Sequence, residues 1–215
     1  VAHGMPEHCL TYELGGHADM PFSATMHWIR HAQAIVTFWE RHKPIWELFM
    51  PPGREATYLP PGVDLKRWTR EGEGFSFKAK PVIFFTESWF EVKRPTEFLW
   101  GFAAAKEHPA FGEARLALFN IPDGQRQVWA NVLEHLGLRH WCLAFEGWTP
   151  ALERLFRNEG SLVICPALGG DTSRTCLEAL ACGTQVLARS GSPHATYTCD
   201  WDWESIARRL IQIAQ

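Results

Sequence analysis

Residues Gly160 to Ala188 constrain the fold of this chain more than any other stretch. A short apolar run, a glycine turn, a helix start and a second apolar run follow one another in Gly-Ser-Leu-Val-Ile-Cys-Pro-Ala-Leu-Gly-Gly-Asp-Thr-Ser-Arg-Thr-Cys-Leu-Glu-Ala-Leu-Ala-Cys-Gly-Thr-Gln-Val-Leu-Ala. Leu162 to Cys165 lacks polar alternation, the pattern of a parallel strand covered on both faces, and Pro166 ends it. Gly169 and Gly170 let the backbone come close to a ligand, and any of Asp171, Thr172 or Ser173 suits the cap of the next helix. The free amides of that helix start favour negative charge. Glu178 rides on the helix and Gly183 closes it. Open α/β sheets bind ligands beyond the carboxyl ends of their strands, so this stretch predicts a site with a carboxylate, hydroxyls and free amides.

The rest of the chain agrees with that geometry. From about Phe77 onward, strand-like and helix-like segments alternate. Strands are expected at Pro81 to Thr86, Arg115 to Asn120, His140 to Phe145, Leu162 to Cys165 and Gln185 to Ala188. Helices are expected at Pro95 to Lys106, Gly124 to Leu136, Pro150 to Asn158 and Ser173 to Cys182. This alternation defines the fold class: α/β, a Rossmann-like parallel sheet with helices on both faces. From Trp201 the sequence is amphipathic, with Trp203, Ile206, Leu210 and Ile213 on one stripe, and forms a closing helix.

The first part of the chain is rich in His, Pro and Trp, with helices near Ala24 to Arg30 and Lys43 to Phe49 and a strand at Ala34-Ile-Val-Thr-Phe. That makes a partial α/β segment. Leu59-Pro-Pro-Gly-Val-Asp-Leu-Lys-Arg-Trp68 has the stiff, turn-rich character of a connection. The expected organisation is therefore 1–58, a linker at 59–75, a Rossmann-like domain at 76–200 and the closing helix at 201–215.

Bulk properties exclude several classes. A chain of 215 residues with 46% hydrophobic content buries one sizeable core. With a formal charge of −3 and no long basic run, no nucleic acid partner is expected. No apolar stretch approaches the roughly 20 residues of a membrane span, and Val1-Ala-His-Gly lacks the pattern of a secretory leader, so a soluble cytoplasmic protein is expected. The six cysteines include no C-x-x-C pair, which suits reduced thiols and no zinc site.

Three landmarks fall in order: Pro60-Pro-Gly-Val-Asp-Leu, then Lys93 at a helix entry after a strand, then Cys165-Pro with Leu177-Glu-Ala-Leu-Ala-Cys-Gly-Thr. Together they resemble the retaining family 4 glycosyltransferases of GT-B fold over Tyr58 to about Ala188, with Val1 to Tyr58 similar to the tail of the acceptor-side domain. The resemblance implies a hexosyltransferase that moves a sugar from a nucleoside-diphosphate donor to a sugar or glycan acceptor. It implies no cofactor and no metal. Peripheral membrane contact through a lipid-linked acceptor is compatible with it.

By position, Glu178 matches the second glutamate of the family's E-x7-E motif, which accepts hydrogen bonds from the nucleotide ribose. An acceptor-only carboxylate suits a diol. Lys93 matches the lysine facing the donor diphosphate, Arg94 is placed to share that job, and Thr172, Ser173 and Arg174 correspond to the helix start under the diphosphate. Trp148 lies where family members cradle the base, or else packs a core rim. His3, in His3-Gly4-Met5-Pro6, is similar to the His-Gly segment near the donor sugar.

Departures from the family pattern qualify what this chain does. Gly170 stands where the first motif glutamate belongs, which leaves the donor sugar to Asp171 or to the Gly169 and Gly170 amides. Ser88 replaces a diphosphate arginine, and Gln185 replaces a proline. Between Ala188 and the closing helix there is too little chain for the family's last strand and helices. A nucleotide- or sugar-binding module without catalysis is therefore the alternative, with a GT-B nucleotide-sugar epimerase as a third reading.

Overall fold

A computed structural model describes residues 10–11, 27, 29–32, 34–37, 40–59, 62–74, 81–87, 89, 93–145, 147, 152–157, 161–166, 173–192 and 194–215. The chain divides into two compact units, 1–61 and 62–215. In the first, strands β1 (Leu10–Thr11), β2 (Ala34–Thr37) and β3 (Ala56–Tyr58) form a parallel sheet in that order. Helix α1 (Lys43–Glu47) precedes β3, and its Glu47 carboxylate accepts a hydrogen bond from Ala56 N at 3.1 Å. Ile29, Ala32, Ile35, Met50 and Ala56 form the small core.

The second unit carries the larger sheet. Its strands are β4 (Val82–Phe85), β5 (Arg115–Leu118), β6 (Cys142–Phe145), β7 (Leu162–Cys165), β8 (Gln185–Arg189) and β9 (Tyr197–Cys199). They lie in the order β6-β5-β4-β7-β8-β9, and every pair is parallel. Counted within the unit this is the 3-2-1-4-5-6 order of a doubly wound fold, whose direction of winding reverses between β4 and β7.

The uninterrupted apolar runs follow from this architecture, because alternate residues of each strand enter different cores. Ile83 and Phe85 join Leu116, Leu118, Ile164 and Leu187 on one face. There α2 (Pro95–Ala105), α3 (Arg126–His135) and α6 (Trp203–Ala214) contribute Phe98, Leu99, Phe102, Leu133, Ile206 and Leu210. Val82 and Phe84 join Ala117, Val163, Cys165, Val186 and Ala188 on the other, under α4 (Leu152–Phe156) and α5 (Arg174–Ala181). Both faces are covered, as the sequence pattern requires.

The structure departs from the sequence reading in places. Tyr197–Cys199 forms a sixth parallel strand where no strand was expected, anchored by the Ser190 N to Cys199 O hydrogen bond of 2.8 Å. The helix expected from Gly124 starts as a 3-10 turn at Asp123–Gln125, and another at Arg139–Trp141 takes the first residues expected of β6. The closing helix starts at Trp203, since the carboxylate of Asp202 caps it by accepting from Ser205 N at 2.8 Å. In the first unit, β1 and β3 are too short to leave a periodic signal.

Residues 62–74 belong to the second unit, although their composition is that of a linker. Trp68 is buried against Phe156, with ring centroids 5.7 Å apart. The Arg157 guanidinium donates to three carbonyls of this strap: Nε to Thr69 O at 2.9 Å, Nη1 to Glu73 O at 3.3 Å and Nη2 to Arg67 O at 3.0 Å.

Candidate donor-binding site

At the reversal point, the carboxyl ends of β4 and β7 lie side by side, with Phe85 in register with Ile164. Chain direction puts Thr86 and Glu87 just past β4, Pro166 just past β7, and the start of α5 at the same end of the sheet. Ser173 is the N-cap of α5: its φ and ψ of −67° and 154° are extended and its hydroxyl accepts from Cys176 N at 3.1 Å. Of the three cap candidates, Ser173 holds the position.

Glu178 lies one turn beyond Arg174 on α5, and the two form an ion pair of 3.5 Å. Arg174 is exposed while the Glu178 side chain is largely covered. Burial pushes the Glu178 carboxyl above the usual carboxylate range; Arg174 and Arg67 act in the opposite direction, and the charge of Glu87 adds to the rise.

Lys93 sits in the turn before α2, with Nζ 3.0 Å from Glu87 Oε2. The lysine side chain is 23% exposed and the glutamate 8%. Both partners are therefore shielded, and their attraction is stronger than that of a surface pair. The second oxygen, Glu87 Oε1, is buried and has no hydrogen-bond partner among the described residues. Glu87 also acts electrostatically on Cys165, whose thiol is pushed up first by burial and then by contact with Cys176. Glu87, just past β4, thus acts electrostatically on both the Cys165 thiol of β7 and the Glu178 carboxylate of α5.

Described residues before and after Lys93 are anchored in the fold. Upstream, Trp89 is buried and its Nε1 donates to Phe119 O at 2.6 Å. Downstream, Arg94 takes a left-handed backbone, φ 44° and ψ 54°, immediately before Pro95 opens α2. That conformation costs a non-glycine residue roughly 1–2 kcal/mol. Its side chain runs back to the fold, with Nη1 3.4 Å from Trp201 O and Nε 3.8 Å from Glu97 Oε1. Asn120, after β5, is also left-handed at φ 59°, and its Nδ2 donates to Thr86 O.

Of the residues singled out from the sequence, Glu178, Ser173, Arg174 and Lys93 gather at this end of the sheet, while Arg94 points its guanidinium at the backbone of Trp201. Ser88, Trp148, Gly169, Gly170, Asp171, Thr172 and His3 lie outside the described residues. Glu87 is the participant that sequence reasoning missed. Its one signal was an acidic residue two positions past a wholly apolar strand.

Among the described residues no helix is long and apolar enough to cross a membrane, and no group of three or more His, Cys, Asp or Glu is placed to hold a metal ion. Cys142, Cys165, Cys176, Cys182 and Cys199 are free thiols.

No protein-family profile matches the sequence, and no curated protein matches it significantly. Solved structures do match the fold. HepE of Anabaena, solved in complex with UDP and glucose, is 11% identical, with a TM-score of 0.66 over 88% of this chain and 56% of its own. Sucrose-phosphate synthase of Thermosynechococcus elongatus is 14% identical, with a TM-score of 0.69 over 92% of this chain and 54% of its own. The C-terminal domain of LpcC, a group 1 family glycosyl transferase of Francisella tularensis, is 16% identical, with a TM-score of 0.53 over 72% of this chain and 93% of its own. The chain spans a little over half the length of the first two. Its six-stranded parallel sheet and flanking helices are those of the Rossmann-like domains of GT-B proteins. At these identities the likeness is one of fold.

Proposed function

We propose that this chain supplies the donor half of a glycosyltransferase, a hexosyltransferase that takes a sugar from a nucleoside diphosphate and passes it to a sugar or glycan acceptor with retention at the anomeric carbon. The observation that carries the reading is Glu178: a covered carboxylate one turn into the helix that follows β7, at the winding reversal of the sheet. Its oxygens suit the two hydroxyls of a ribose. Negative charge growing on the departing diphosphate would be met by Lys93 and by the free amides at the start of α5.

In retaining members of this fold the acceptor attacks from the face that the diphosphate leaves, so the reading asks for no protein nucleophile. It asks for no metal either, since lysine and helix amides do the neutralising. The retaining family 4 assignment, a cytoplasmic location and contact with a lipid-linked acceptor at the membrane surface belong to the same proposal.

The experiment is calorimetric titration of UDP, GDP and ADP into the wild-type chain and Glu178→Ala. One nucleotide should bind, and the variant should bind it at least about tenfold more weakly, the usual scale for losing a hydrogen-bonded charged group. Equal affinity in both proteins would remove Glu178 from the site.

Gly170 at the position of the first motif glutamate favours a second reading, a nucleotide-binding module without catalysis. Release of free sugar from the nucleotide sugar that binds, followed by chromatography, separates the two. Binding with no turnover selects the module.

A further inference from the structure

The Lys93 and Glu87 pair has a consequence for which ligand the site prefers. Lys93 is the cation that the donor-site reading assigns to the diphosphate, yet it is held 3.0 Å from a carboxylate with 8% exposure. Other charged side chains are already paired: Glu178 with Arg174, and Arg67 with Glu153 at 3.1 Å. A diphosphate entering beside Lys93 therefore meets Glu87 as well, in surroundings where charge interactions are poorly screened.

Nucleotide sugars and nucleoside diphosphates respond differently to such a neighbour. A nucleotide sugar is a diphosphate diester, with one negative charge on each phosphate. Loss of the sugar exposes a terminal phosphate that ionises again near pH 6, so the product carries about one more negative charge. We propose that Glu87 is a specificity-determining residue of the donor site: its buried carboxylate half-neutralises Lys93 and disfavours the nucleoside-diphosphate product relative to the nucleotide-sugar donor. This inference rests on the donor-site reading above and extends it to product release.

Geometry supports a charge role over a simple brace. A brace for Lys93 needs only one oxygen, and the residue that follows it is already set by the left-handed backbone of Arg94 before Pro95. A neutral amide would hold the ammonium as well, because its carbonyl oxygen accepts the same hydrogen bond. The carboxylate is nevertheless present and buried, with Oε1 unpartnered. Carrying a charge there costs desolvation, and what it adds over the amide is repulsion of anions.

Calorimetric titration of the full chain and Glu87→Gln with matched pairs tests this: UDP and UDP-glucose, GDP and GDP-mannose, ADP and ADP-glucose. Glu87→Gln keeps the hydrogen bond to Lys93 and removes the charge. It should bind the nucleoside diphosphate about tenfold more tightly and the matching nucleotide sugar no more than about threefold more tightly. Glu87→Met, which removes both carboxylate oxygens and frees Lys93 altogether, should shift the ratio in the same direction. Unchanged or weakened diphosphate binding in both variants, or an equal gain for both members of a pair, overturns the inference and leaves the donor-site reading standing. If neither the wild type nor the variants bind any of the six ligands, both fall.

Discussion

Gly101 of α2 lies directly beneath Ile206 of α6. A Cβ on Gly101 would come within 2.6 Å of Ile206 Cγ2 and 2.8 Å of Ile206 Cβ, and within 3.0 Å of the Trp203 carbonyl oxygen. The last of these is backbone and cannot rotate away. Glycine in mid-helix is explained here by the approach of two helices rather than by flexibility.

Gly101→Ala should therefore destabilise the protein, although alanine favours a helix by about 1 kcal/mol. To admit the methyl, α2 and α6 must part and loosen the layer of Phe98, Phe102 and Leu210. Overpacking of this kind costs about 1–3 kcal/mol. Differential scanning calorimetry should show Tm falling by a few degrees, about 2–4 °C per kcal/mol for a chain of this size. Trimming the neighbour in Gly101→Ala/Ile206→Ala should restore part of the loss relative to Ile206→Ala alone.

Glu178 makes opposite predictions for stability and for binding. Burial raises its carboxyl in the folded state, so the protonated form is the one folding favours. Its contribution to stability is fully present below the ordinary glutamate value, about 4.3, and is lost as pH rises through the higher folded value. Glu178→Gln keeps a neutral group at every pH. Thermal melts should show the variant gaining stability over the wild type near neutrality, with the gap closing toward about pH 4. Nucleotide binding should weaken in the same variant. A gap that widens on acidification would contradict the burial argument.

The Arg157 clamp should not tolerate lysine. A guanidinium reaches Thr69, Glu73 and Arg67 carbonyls at once, whereas an ammonium is a compact point charge on a flexible stem. Arg157→Lys should lower stability by about 1–3 kcal/mol, the range for lost charge-assisted hydrogen bonds. The sharper signature is local: amide hydrogen exchange over residues 67–73 should speed up before the rest of the second unit does.

How much of this was visible in the sequence depends on the origin of each feature. The strands β4, β5, β7 and β8 were legible because both faces are buried, which forces runs such as Val82-Ile-Phe-Phe and Leu162-Val-Ile-Cys. Tyr197–Cys199 was not, since a three-residue edge strand with alternate exposure looks like a loop. For α5 the local chemistry allowed three caps, and only the fold selects Ser173. Glu87 was hidden for a different reason. Its meaning lies in its ion pair with Lys93 and its electrostatic effect on Cys165 and Glu178, which come from different elements, and no local pattern records such a meeting.

The packing of α2 against α6 reaches beyond the interior of the molecule. The turn that presents Lys93 is the first step of α2, Arg94 in that turn is tied to the carbonyl of Trp201, and the middle of α2 is locked under Ile206. The turn, α2 and the segment leading into α6 are thus joined at two points, the Arg94–Trp201 hydrogen bond and the Gly101–Ile206 approach. A change that displaces α6 is therefore expected to reach the lysine through Arg94 and α2.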